Sequence, residues 1–190
     1  MTLRTLLGPH IRLAAAALTI AAAVTLSLSA QTPPAPAAPG PLVAATVLEP
    51  LLPSPDGWTR TKASSDRVTV SASCLYSFAG ATYTKDAMTV RVTVADTGSN
   101  EEALGLLATM VVSLPENYVG EVPPATTVAR LTVGGQPAAS RWDDKAKEGE
   151  FTVVVGGRFV AMAEGRHMTD PATLRAIVEL VDLKKLRELR

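Results

Sequence analysis

The sequence predicts an α+β domain: an antiparallel sheet of about five to seven strands, with a mid-chain helix and a C-terminal helix packed on it. Three observations carry this. Met88-Thr-Val90-Arg-Val92-Thr-Val94 alternates apolar and polar residues strictly, which is the period of a half-buried strand. Leu104, Leu107, Ala108 and Val111 recur at helical spacing. Asp170-Pro171 sets an acidic cap before a proline suited to a first helical position, and Leu174, Ile177, Val178 and Val181 follow on one helix face.

At the N-terminus, Arg4 and Arg12 precede an apolar run from Leu13 to Ala30 that ends in Leu28-Ser29-Ala30. A basic stretch, an apolar core and a small-residue stop form the layout of a secretory signal peptide, so residues 1–30 are read as a leader cut after Ala30. The alternative is a retained anchor, because the run is about the minimum length for a spanning helix. Either way the domain faces outward, and the expected location is periplasmic or secreted. No cysteine lies near the cut, which argues against a lipid-modified N-terminus. Residues 31–49 form a Pro/Ala-rich linker, a semi-rigid tether because proline removes donors and favours extended backbone. Leu42–Leu52 is apolar enough to dock as the leading edge of a single domain spanning 50–190.

Val68–Phe78 reads as a strand whose alternation puts Cys74 inward with Val70 and Tyr76. Lys85-Asp86 turns Ala81–Thr84 back on the Met88–Val94 strand. Ser99 and Glu102 have capping-box spacing, and the helix they start runs to Val112, before Pro115. Pro115–Pro124 is read as a loop. A meander follows: Thr127–Val133, a Gly134-Gly135 turn, Pro137–Trp142, a charged tip at Asp143–Glu150, Phe151–Val155, a Gly156-Gly157 turn and Arg158–Ala163. Asp182 recaps a last short helix holding Leu183, Leu186 and Leu189. One sheet face should carry helices; the other is expected to be partly open or covered by Leu42–Leu52. An up-and-down barrel is disfavoured, since the helices need a surface to pack on.

Gly57-Trp58, the Val90–Val94 strand, the Gly134-Gly135-Gln-Pro-Ala turn and the strand pair Thr152–Val160 before a terminal helix resemble uncharacterised exported bacterial domains with a PsbP-like α/β/α sandwich fold. That resemblance implies a small extracytoplasmic accessory or binding module, mostly without catalysis. It carries over no functional residue.

Removing Arg4 and Arg12 with the leader takes 18 basic side chains to 16, against 18 acidic ones. A nucleic-acid partner asks for a clustered basic face, and the C-terminal cluster from Arg175 to Arg190 is interleaved with Glu179, Asp182 and Glu188. Cys74 is the only cysteine, so no intramolecular disulfide forms and stability rests on packing. It is read as a core thiol, with a reactive thiol or an intermolecular bridge as the alternatives. His167 is the only histidine outside the leader and is read as exposed; no zinc spacing, nucleophile elbow or phosphate-binding glycine pattern accompanies it. Asp143, Asp144, Glu148 and Glu150 could offer oxygen ligands to calcium but lack an EF-hand pattern. Trp142 is read as core or sheet-face, with ligand stacking as the alternative.

No catalytic, metal or cofactor residue is therefore assigned. The expectation is an exported, non-catalytic binding or accessory module of the cell envelope. It would contact an envelope protein or small ligand through an open sheet face or the Pro115–Pro124 loop, and touch the membrane only through an uncleaved leader. The alternatives are a hydrolase using two acids from Glu101, Glu102, Asp143 and Glu150, and a purely structural envelope protein.

Overall fold

A computed structural model describes residues 40–115, 118–122 and 125–189, so the leader and residues 31–39 of the linker lie outside the described residues. Eight strands form one antiparallel sheet: β1 Thr59–Thr69, β2 Leu75–Lys85, β3 Met88–Asp96, β4 Val119–Val122, β5 Thr126–Val133, β6 Gln136–Asp143, β7 Glu148–Val155 and β8 Phe159–Arg166. Their order across the sheet is β1-β2-β3-β8-β7-β6-β5-β4. The chain thus builds three strands outward to centre and crosses to the far edge. It then meanders back until β8 closes on β3.

That is more strands than the sequence predicts. β1 is polar along its length and all but one of its residues are exposed, so no apolar alternation marks it. β4 lies within the stretch read as the Pro115–Pro124 loop, pairing Val119 with Ala129 and Val122 with Thr126. The stretch Val68–Phe78 is not one strand. Val70 and Ser71 donate to the Cys74 carbonyl at 2.8 and 3.2 Å, closing the turn between β1 and β2. Cys74 is buried in that turn rather than on a strand face.

Register assigns the side chains to faces, because directly paired residues point the same way. On one face, Ala79, Ala81, Tyr83, Val90, Val92, Val94, Phe151, Val153 and Phe159 form the main core. This face is covered by α1 (Ala45–Leu48) with a following 3-10 turn (Glu49–Leu51), and by α4 (Ala172–Glu179) and α5 (Leu183–Glu188). Leu48, Leu174, Val178 and Leu186 are fully buried there. The opposite face carries α2 (Glu101–Leu107) and α3 (Thr109–Ser113), which bury Ala139, Val154 and Val160 under Ala108 and Val111. The result is three layers, helices on both faces of one sheet.

The single mid-chain helix of the sequence reading is a broken pair. Ala108 leaves helical geometry (φ −136°, ψ 37°), and the Thr109 hydroxyl bonds back to the Gly105 carbonyl. Ser99 does not cap it. Ser99 lies at φ 64°, and the Asn100 side chain instead accepts from Ala103 N at 2.8 Å. At the C-terminus, Asp170 Oδ1 accepts from Thr173 N at 3.0 Å and Asp182 Oδ1 from Lys185 N at 2.9 Å, so both caps read from sequence form.

Gly40–Glu49, which composition places in the linker, lies against the sheet. Gly40 N donates to the Gly98 carbonyl at 2.9 Å, Val43 N to Asp96 Oδ2 at 2.6 Å, and Ser77 Oγ to the Val43 carbonyl at 2.5 Å. Arg158 forks onto Asp96 through Nε and one terminal nitrogen, each at 2.7 Å, and also donates to the Pro41 carbonyl at 2.9 Å. Asp96 is fully buried and Arg158 is half-buried, and the pair makes a compact ionic clip at the β3–β8 seam.

Candidate functional site

The α2–α3 pair is short and covers only part of its face. Beyond it no other described element covers the sheet, and two adjoining concavities of about 500 Å³ each share Arg141, Glu150 and Glu164. One is charged. Register aligns Arg91, Glu164, Glu150 and Arg141 in a row across β3, β8, β7 and β6. Beside that row Arg166, Glu148 and Asp143 form a second one. The other concavity is apolar and runs beneath α2–α3, lined by Leu106, Leu107, Met110, Leu114, Val128 and Met162. Together they form a trough with a charged floor and an apolar shelf.

Strand alternation explains the floor: every second residue of β7 and β8 points to this face, and where the helices stop, those residues are Glu150 and Glu164 instead of Val154 and Val160. Glu150 and Glu164 stand directly opposite each other, a like-charge juxtaposition that weakens a sheet. Glu150 is tied on both oxygens. Thr152 Oγ1 donates to Oε1 at 2.8 Å, and the Arg141 guanidinium lies 3.9 Å from Oε2. Arg166 approaches Glu148 at 4.0 Å. Among the described residues, Arg91 and Glu164 have no ion-pair partner.

The four acids of the hydrolase alternative separate into two places. Asp143 and Glu150 both line the trough. Glu101 and Glu102 lie in the first turn of α2, where Glu102 accepts from Ser73 Oγ at 2.6 Å. The charged tip is likewise divided. Asp143 Oδ1 accepts from Lys145 N and Ala146 N at 2.9 and 2.8 Å, which closes the β6–β7 turn. Asp144 meets Lys147 Nζ at 2.7 Å and Trp142 Nε1 at 3.4 Å, and the hydrogen bond from Lys147 holds its carboxyl below the usual range. Among the described residues, no group of three or more His, Cys, Asp and Glu is placed to hold a metal ion.

His167 is exposed at φ 56° in the turn between β8 and α4, next to Arg166, and does not itself line the trough. Cys74 is buried, and burial, with Glu102 adding to it, pushes its thiol pKa up, away from the thiolate a nucleophile needs. Trp142 belongs to the main core under α4 and offers no stacking platform in the trough. Arg91, Arg141, Glu164, Arg166 and Met110 line the trough without being marked as site residues by the sequence. The available signal was charge within a strand: Arg91 on the polar side of the β3 alternation, and Glu164 interrupting the apolar run of β8.

Comparison with known protein families, characterised proteins and solved structures finds no match to this chain. Its fold and trough define a class only: an α+β domain with a half-covered antiparallel sheet.

Proposed function

We propose that the chain is a non-catalytic binding module of the cell envelope whose contact surface is the trough on the half-covered sheet face. The observation that carries this is the meeting of an apolar shelf with a charged floor in adjoining hollows of about 500 Å³ each, a size and character suited to a ligand or a partner's side chains. Export rests on the leader and linker of the sequence.

The test is capture from an envelope fraction with the intact protein and with a Met110→Glu, Glu164→Arg double variant. The reading expects a species retained by the first and lost by the second, with the far-UV circular dichroism of the two alike. Equal capture by both proteins places binding on another surface and overturns the trough as the contact site.

The hydrolase alternative keeps one observation, the convergence of Asp143, Glu148, Glu150 and Glu164 on one concavity. It is weaker. Glu164 is exposed and Glu150 is already engaged, whereas catalytic carboxylates work best where water is excluded and the reacting group is within reach. If it holds, Glu150→Gln abolishes a hydrolytic turnover that the intact protein shows.

A further inference from the structure

The first edge of the sheet is unusual for its length and its bareness. β1 runs eleven residues from Thr59 to Thr69, pairs among the described residues with β2 alone, and exposes every side chain except Val68, which is half-buried. A strand of that length presents about 36 Å of unpaired backbone donors and acceptors, a template that another strand can complete. We propose that β1 pairs antiparallel with β1 of a second copy of this chain, about a two-fold axis through Ser64.

The strand's own sequence selects that partner and that register. Ser64 is the midpoint of β1, so the two-fold through it gives the longest overlap, Thr59 opposite Thr69. It also sets Lys62 opposite Asp66 twice, once on each side of the axis, and sets no like charges opposite each other. Sliding the copies by one residue either way places Arg60 against Arg67 or Lys62 against Arg67. Lys62 and Asp66 are paired with Thr82 and Phe78 of β2, hence on one face of the sheet, as a cross-strand ion pair requires. The register shift between Arg60 and Lys62 interrupts the ladder there. It leaves Lys62–Asp66 as an uninterrupted central stretch, with one such irregularity on each side of the axis. The paired sheet runs continuously through both copies and leaves the trough of each open.

Sedimentation velocity of the full chain over a concentration series tests this. The expected result is a concentration-dependent dimer, weakened about tenfold or more by Lys62→Asp or Asp66→Lys alone, because each puts like charges opposite in both pairs. The double swap Lys62→Asp, Asp66→Lys should restore the dimer to near its original strength. Both positions are exposed, so far-UV circular dichroism should not change. A monomer at every concentration overturns the proposal. So does association that ignores both single swaps, and so do single-swap losses that the double swap fails to reverse.

Discussion

Asp96 is a fully buried carboxylate with its lone pairs in use. It accepts from Val43 N at 2.6 Å and Gly98 N at 2.8 Å, and takes both prongs of the Arg158 guanidinium at 2.7 Å. The hydrogen bond from Arg158 raises that residue's own pKa further. Removing one partner of such a pair strands the other, so Asp96→Ala should cost about 3–5 kcal/mol in urea unfolding. Asp170 supplies a pH-dependent case. Its carboxyl is depressed first by the hydrogen bond from Thr173 N, so its contribution is present above the unfolded value of about 4 and lost as pH falls through the lower folded value. Asp170→Asn keeps an acceptor without the charge. The difference in unfolding midpoint between the two proteins should therefore be seen at pH 6 and shrink toward zero on acidification. The cap at Asp170 was legible because its partners lie within one helical turn. The clip at Asp96 was not, since Arg158 and Val43 are brought to it only by the closure of β8 on β3 and the return of the N-terminal segment.

Strands were legible where one face is buried and illegible where none is. Met88–Val94 alternates because one side meets the core; β1 does not alternate because neither side is covered. Ser71, Ala72 and Ser73 interrupt the apparent run from Val68 to Phe78, and the turn they make is held by the Ser71 and Ser73 hydroxyls against Glu102 and the backbone. Helix α4 shows a packing feature that periodicity cannot convey. Gly149 and Gly165 face each other across β7 and β8 beneath it, and a methyl group on Gly165 would lie 2.6 Å from Leu174 Cδ2 and 2.7 Å from Met168 Cγ. The glycine pair is what lets α4 approach the sheet. Gly165→Ala should destabilise the domain by about 1–3 kcal/mol through overpacking, measurable in urea and paired with loss of α4 protection in hydrogen exchange. The turn glycines that stand out in the sequence, Gly134 and Gly135, have open space around them and carry no such constraint.

For the molecule as a whole, composition and element order were enough to give one α+β domain built on a single antiparallel sheet, with helices at mid-chain and at the C-terminus. The trough was not legible. It arises because a short helix pair, carried across the sheet by the β3–β4 connection, is too small for the face it covers, a relation of sizes that emerges only after β8 docks on β3. The arrangement has a stability cost in the facing Glu150 and Glu164. Glu164→Gln relieves it and should raise the unfolding free energy by about 0.5 kcal/mol while weakening whatever capture the trough supports. Unchanged stability together with unchanged capture would separate this pair from function.

The ionic clip also has a mechanical meaning. Tension applied to the chain ahead of Gly40 enters the domain through Gly40, Pro41 and Val43, whose partners Gly98, Asp96 and Arg158 sit at the β3–β8 seam in mid-sheet. The exposed margin at β1 is bypassed. A pull from the N-terminal side is therefore borne by several bonds at the centre of the sheet, and does not peel the sheet open one ladder bond at a time from its free border.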